Sequence, residues 1–418
     1  MKNAGVRFIL ILFIGGLNSS VIAQHSNNKD SSFIKSFNAV PIIAFDSDNG
    51  LRYGGTINIF RYKKTNLDDD YRPYTDNFLL RGFNSTKQNF QGTLLIESNS
   101  LLPNGKTFIE FSAAKENSFD FFGLNGYQSR YDENLISENH PKFIQTNYYR
   151  HRKSFVKGRI DIQHNLFSAN TRILTGLSII KNFINYDSLS LLSEYENTGS
   201  IEPIELVNTS VQFNFGLIQE NRNNQFYCTK GYWNDFFFVY SQNSKSSYLK
   251  SIITFRNYIP IISKRNVFMS RLSAQNTLSG KIPYDHLGYY FDSRLSQDGI
   301  GGINNLRGKP RNRMLAKGFI LLNTEIKRTM LTKEWRKSEY RIDVSLFGDH
   351  YLITQLFKFD SNSLPVNYDP TQTRYCSTLG TGTYIVINKS AVISLNYGYP
   401  ITKNEHGGRL YIGAGLMF

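Results

Sequence analysis

The chain has 418 residues, of which 40% are apolar and 19% charged, and carries a formal net charge of +15. A mean hydropathy of −0.36 excludes a polytopic helical membrane protein, and 32 Phe with 26 Tyr exclude a disordered chain, which would be poor in aromatics. A β protein fits what remains, and a transmembrane barrel fits it best, because only alternate residues of its strands face lipid.

Residues 1–23 read as an export signal. Lys2 and Arg7 form the charged start, Phe8–Leu17 the apolar centre, and Val21-Ile22-Ala23 the small-residue cleavage site. The apolar run is shorter than the roughly 20 residues of a spanning helix. No Cys stands at the cut to carry a lipid anchor. Residues 24–37 are polar and form a short periplasmic segment, and 38–418 are the barrel.

Period-2 alternation recurs along the rest of the chain. In Val211-Gln-Phe213-Asn-Phe215-Gly-Leu217 one face is apolar and the other polar or small, and Tyr340–Leu346 and Ala391–Tyr399 repeat this. Turn signals separate strands near 38–46, 50–62, 75–86, 89–98, 105–116, 153–164, 169–181, 208–220, 231–241, 248–258, 266–278, 318–328, 339–350, 375–386, 390–400 and 408–418. The alternation alone would also suit a soluble sandwich. Sixteen is an even number, as bacterial barrels use, and about 25 residues per strand and connection suits an antiparallel up-and-down barrel. The connections at 165–168, 259–265 and 387–389 are short, whereas 117–152, 182–207, 279–317 and 351–374 are long. Long loops belong outside and short turns in the periplasm. Lys63–Tyr74 is a longish turn for the periplasmic side, and Asp46–Gly50 a short one for the outside.

The chain ends on a strand. Leu410, Ile412, Ala414, Leu416 and Phe418 alternate and finish on an aromatic, with Tyr411, Gly413, Gly415 and Met417 on the other face. This is the pattern of a C-terminal assembly signal. A barrel must close between its first and last strands. Pro41 in the first strand cannot donate to a ladder, and Gly413 and Gly415 pack little. A weak seam is therefore expected, with Ile43 near Ile412.

Gly301-Gly302-Ile303-Asn304-Asn305-Leu306-Arg307-Gly308 is the sharpest motif. It lies in a long loop and opens no helix, so it is not a nucleotide-binding fingerprint. It resembles the infolded sixth-loop motif of the BamA/TamA/FhaC superfamily of outer-membrane assembly and secretion barrels, where a Gly-Gly pair precedes a hydrophobic-Arg-Gly-aromatic tetrad. Lys309 stands where that family carries the aromatic. Asn221–Tyr232 resembles the family's turn before strand nine, with Cys228 in place of a Pro. Tyr258-Ile-Pro260, Asn323–Arg328 and Leu346–Asp349 resemble later segments in order. The likeness runs from about 209 to 418, and more loosely through Ala44–Gly50 and Phe121–Leu124.

The resemblance implies a sixteen-stranded barrel that assists insertion or translocation of proteins at the outer membrane and opens laterally at its seam. No segment corresponds to the family's periplasmic POTRA domains. Strand phase agrees with the carried-over site. Ile320, Leu322 and Ile326 face lipid, so Glu325 faces the lumen; Val344 and Leu346 face lipid, so Asp349 faces the lumen too. Two carboxylates in an excluded lumen need a cation, and Arg307 can supply a bidentate fork.

The basic balance points to outer-membrane lipids and lipopolysaccharide as neighbours, beside client or partner outer-membrane proteins, and away from nucleic acid. Two cysteines, Cys228 and Cys376, allow one bridge at most, and no Cys/His cluster has metal-ligand spacing. Asp68-Asp69-Asp70 reads as a solvated turn, with calcium the weaker alternative. Glu325 and Asp349 invite an acid–base reading, but no nucleophile accompanies them, and His164 and His286 read as interface or loop residues. The expectation is a protein without catalytic residues or cofactor. A passive channel or structural barrel, and a surface receptor using loops 117–152 and 182–207, remain alternatives.

Overall fold

The computed structural model describes residues 33–47, 50–63, 74–201, 204–294, 297–335, 338–360, 364–388 and 391–414. The export signal, Asp68–Asp70, Gly415, Leu416 and Phe418 lie outside them. The strands in chain order are β1 (Phe33–Asp46), β2 (Gly50–Lys63), β3 (Asp76–Ser85), β4 (Phe90–Ser98), β5 (Gly105–Asp120), β6 (Arg150–Ser168), β7 (Thr171–Asn185), β8 (Val207–Arg222) and β9 (Gly231–Gln242). They continue with β10 (Ser247–Ile261), β11 (Ser263–Gly280), the short ribbon β12 (Tyr289–Tyr290) and β13 (Gln297–Asp298), β14 (Gly318–Trp335), β15 (Ser338–Gln355), β16 (Tyr375–Ile387), β17 (Ala391–Pro400) and β18 (Arg409–Ala414).

All but the ribbon form one closed, antiparallel, sixteen-stranded barrel, each strand paired with its sequence neighbours and β1 meeting β18. The ribbon sits in the loop 281–317, which separates the paired strands β11 and β14. No helix among the described residues is long and apolar enough to cross a membrane; strands form the wall.

The alternation sorts inside from outside. On β8, Phe213, Phe215 and Leu217 are exposed, while Asn208, Ser210, Gln212 and Asn214 are buried. On β14 and β15, Ile326 and Leu346 stand outward at 51% and 71% exposure, and the adjacent Glu325 and Phe347 turn inward at 1% and 4%. Apolar surface outside and a buried polar interior invert a soluble protein and match a barrel in lipid.

Several strands run past their expected ends. Register with β2 carries β1 back to Phe33, which stands opposite Lys63, so part of the segment expected as a periplasmic tail joins the wall. The turn expected at 165–168 falls after Ser168 instead. A bulge between Asn165 and Ser168 lets β6 continue after its alternation loses phase. A second bulge at Thr329–Leu331 does the same for β14.

Loops at the outer end pack into an apolar cap of Phe121, Phe122, Leu124, Tyr148, Tyr149, Leu191, Leu192, Tyr195, Leu287 and Leu315. It includes one short helix, α1 (Leu191–Asn197), whose start is capped by Ser190 accepting from the Ser193 N–H.

A charge on the outer wall should be costly at mid-height and cheap at the rim. Phe213→Arg is expected to lower barrel stability in vesicles by about 2–4 kcal/mol, read as loss of heat-modifiable migration across a urea series. The same stability as wild type would mean that this face does not meet hydrocarbon.

Candidate functional site

The loop 281–317 descends into the barrel along one wall and returns along the other. Its first limb lies against β6–β10. Asp285 accepts from Asn182 at 2.5 Å and from Asn208 at 3.0 Å, and His286 pairs with the Tyr248 hydroxyl at 3.0 Å. Arg256 donates to Asp235 at 2.8 Å and to Asp292, and Ser293 donates to Asp235 at 2.7 Å. These strands offer polar side chains inward because their alternate positions are apolar and face out.

At the tip the backbone turns through glycines that no other residue could replace cheaply. Gly301 has φ 124°, and a Cβ there would lie 1.8 Å from the Pro310 carbonyl oxygen. Asn305 ties the turn by accepting from the Gly301 N–H at 2.6 Å and donating to the Gly299 carbonyl at 2.8 Å. Gly302 also has positive φ, and Leu306 is fully buried among Tyr127, Tyr290, Met314 and Tyr351.

This turn delivers Arg307 to β14 and β15. Its Nη1 donates to Glu325 Oε2 at 2.8 Å, and its Nε and Nη2 donate to the two oxygens of Asp349 at 2.9 and 3.0 Å. Its backbone N–H donates to Asp349 at 3.0 Å as well. The guanidinium carbon stands 3.3 Å from the centre of the Phe347 ring, so stacking fills the face that hydrogen bonds leave bare. The carboxylates are satisfied further: Tyr384 donates to Glu325 at 2.5 Å and Asn323 to Asp349 at 2.9 Å. Asn323 also donates to the Asn305 carbonyl at 2.6 Å and accepts from Arg271 at 2.9 Å. The resemblance and strand phase together named Glu325 and Asp349 as partners of Arg307; they did not name Asn323, Phe347 or Tyr384. An inward phase was the available signal for all three, and local sequence does not say which inward residues meet.

The second limb binds the last hairpin. The Gly308 N–H donates to the Tyr411 hydroxyl on β18 at 3.1 Å, and Gly308 lies so close to Gly398 on β17 that a Cβ would sit 3.0 Å from its carbonyl carbon. Arg313 donates to Glu405, in the turn between β17 and β18, at 2.8 and 3.0 Å, and to the carbonyls of Gly126 and Ser129 at 2.8 and 3.0 Å. Lys309 is buried, donates to the Lys403 carbonyl, and holds its ammonium 4.8 Å from the Tyr127 ring centre. An aromatic from a distant loop thus occupies space beside the position where the resembled motif carries its own.

The seam is short. All of β1 pairs with β2, but among the described residues β1 meets β18 only at Phe45 with Ile412 and Asp46 with Tyr411. Ile412 therefore faces Phe45, not Ile43; the shear of the closing strands shifts the pair by two residues along the same face. Gly413 and Ala414 pair with Ser394 and Ile393 of β17 and have no β1 partner among the described residues. Pro41 is exposed and stands opposite Gly55 on β2. Ile303 of the loop tip would touch a Cβ at Gly413 at 3.3 Å. In the assembly-signal stretch, Leu410 and Ile412 are half-buried on the outward phase, whereas Tyr411 is buried inward. Cys228 and Cys376 are free, buried thiols. Cys228 lies in the turn after β8 and Cys376 at the outer end of β16, at opposite ends of the wall. His286 lies in the lumen, whereas His164 is exposed on the wall. Arg222 pairs with Glu220 and covers the Trp233 ring at 4.4 Å.

His406 joins the cap between Phe122 and Tyr131, with ring centres 5.4 and 4.2 Å away. Burial, then the Arg313, Arg409 and Lys309 cations, pushes its imidazole down to about 3. Burial also pushes the Tyr195 hydroxyl up, so it stays a donor, here to Asn367 at 2.9 Å.

The barrel is similar to solved structures. BamA from Haemophilus ducreyi lacking POTRA domains 1–3 matches with a TM-score of 0.55 at 14% identity, over 91% of this chain and 70% of that one. CdiB from Escherichia coli gives 0.52 at 11% identity over 92% and 63%, and CdiB from Acinetobacter baumannii 0.50 at 11% over 93% and 60%. The chain thus spans less than two thirds of either CdiB chain. No family model matches the sequence, and no curated protein does. At identities this low the likeness shows a shared fold.

Removing the Arg307 guanidinium leaves two buried carboxylates uncompensated. Arg307→Ala is expected to cost about 3–5 kcal/mol and to expose 299–317 to trypsin, with Arg307→Lys intermediate because it keeps charge but not the fork. Unchanged trypsin protection would show that the contact does not hold the loop. The cap should respond to acid. Unfolded, His406 gains a proton near 6.5; folded, only near 3. The opened state therefore binds more protons in between, and the cap loosens as pH falls through that window. Protease protection of 121–149 should drop between about pH 7.5 and about pH 5.5 in wild type and stay flat in His406→Phe. An equal drop in both would clear His406 of the effect.

Proposed function

We propose that this chain is an outer-membrane barrel that helps insert or translocate other proteins, admitting client strands between β1 and β18. The observation that carries the reading is the combination of a filled lumen and a short seam. The loop 281–317 and its ionic contacts occupy the barrel from both walls, which works against a free aqueous path and so against a passive channel. The seam, by contrast, joins β1 to β18 at only two described positions, Phe45 with Ile412 and Asp46 with Tyr411. With ladder hydrogen bonds contributing about 1 kcal/mol each, this is the wall's weakest closure among the described residues. The resemblance of the Gly301–Gly308 motif and the fold shared with BamA and CdiB support the same role. Cleavage after Ala23 and an export route to the outer membrane belong to this proposal.

A disulfide across the observed pair tests it. Phe45→Cys/Ile412→Cys should support client-barrel insertion into liposomes when reduced and lose most of it when oxidised, with reductant restoring it, while single-channel conductance stays low in both states. Insertion that survives complete oxidation would exclude lateral opening, and a large steady conductance would favour the channel instead.

A further inference from the structure

The outer wall carries its charge unevenly. On the extracellular half of β5, β6 and β7, the outward-facing cations outside any ion pair are Lys115, Arg152 and Lys181, all exposed; Arg150, on the face of β6 that carries Arg152, is held by Asp120 of β5 at 3.2 Å. The three strands are adjacent. Lys115 stands opposite Ser154, two residues from Arg152 on the same face, and Lys181 stands opposite Val156. Diagonal neighbours across a ladder lie about 7–8 Å apart, so Lys115 and Arg152 share one patch, with Lys181 on the next strand. On their outward faces Lys115 follows Ala113, Lys181 lies between Ile179 and Phe183, and Arg152 stands beyond Ser154 and Val156. Among the described residues none of the three is in an ion pair; Lys181 only overlies Phe183, at 5.5 Å. Cations on a lipid-facing surface need a counter-charge, and the neighbouring acid, Asp120, is already engaged by Arg150.

Beside the cations the wall is hollowed. A groove of about 820 Å³ runs from Val156 across β5, β4, β3 and β2 to Pro41 on β1, with apolar walls that include Leu80, Leu94 and Phe111. Its floor follows one cross-strand row, Gly55, Gly82, Gly92 and Ala113. The fold does not require glycine at 82: its φ is ordinary and a Cβ would meet nothing within 4 Å.

We propose that this face binds a lipid of the outer leaflet that bears more than one phosphate on an acylated sugar headgroup, the phosphates on Lys115, Arg152 and Lys181 and an acyl chain in the groove. The site rests on the outer-membrane reading above and gives that membrane contact an address. Cations spread over three strands suit several phosphates better than the single phosphate of a glycerophospholipid, and a continuous apolar trough suits a chain and not a headgroup.

The test refolds the full chain into phosphatidylethanolamine vesicles doped with diphosphoryl lipid A, extracts it in detergent and counts retained lipid by native mass spectrometry. Wild type should retain diphosphoryl lipid A. The variant K115Q/R152Q/K181Q and the groove-filling variant G82L/G92L should each retain about tenfold less, the loss expected for about one charge-assisted contact or more, with heat-modifiable folding intact. Retention unchanged in either folded variant overturns the proposal, as does monophosphoryl lipid A held as firmly as the diphosphoryl form. A chain that folds in no bilayer would overturn this and the membrane reading together.

Discussion

One buried cation organises the interior. Arg307 brings a full positive charge into a lumen where Glu325 and Asp349 each bring a negative one, all three essentially without solvent. Taken singly these groups would be expensive, and an ion pair in such a place stabilises only when its remaining hydrogen-bonding capacity is met. Here it is met. Tyr384 and Asn323 complete the carboxylates, Phe347 covers the guanidinium, and the Arg307 N–H itself meets Asp349. The geometry tolerates one placement of the tip, and the Gly301 and Gly308 backbone makes that placement reachable.

From this point the rest of the interior follows. With the tip fixed on β14 and β15, the first limb runs past β6–β10 and the second past β17 and β18. The cap above leans on the same loop, since Arg313 links Gly126 and Ser129 of the cap to Glu405 of the last turn. The last hairpin is consequently held from inside the barrel, β18 by Tyr411 and β17 by the close approach of Gly308 to Gly398.

Much of the wall was legible in the sequence because a barrel strand has a rule each residue obeys separately. Lipid on one side and water or packed polar groups on the other impose period two, and turns break it; the sixteen strands follow from that. Once the resemblance had singled out Glu325 and Asp349, strand phase placed both inside. Strand ends were less legible, because bulges such as Asn165–Ser168 shift the phase while pairing continues. The seam register was hidden because it depends on shear around the whole barrel, so Ile412 faces Phe45 although Ile43 lies on the same face. Tyr127 beside Lys309 was hidden for another reason: the two are far apart in sequence, and only the cap's fold brings them together. Helix α1 is too short for its periodicity to register.

An ionic contact at the loop tip also answers a sorting problem that an apolar one would not. The tip must enter a polar lumen although the outer wall offers much more apolar surface. A tip ending in leucine or phenylalanine would gain about as much by lying on lipid as by entering the barrel, because hydrophobic burial is non-directional. An arginine reverses that preference, since hydrocarbon repels it and only the paired carboxylates of β14 and β15 receive its fork in register. The contact thus adds choice of place more than net stability, which is the best-attested use of buried ionic groups. Leu306 then packs among Tyr127, Tyr290 and Met314 as a consequence of where Arg307 has gone, and Lys309 follows it under the cap.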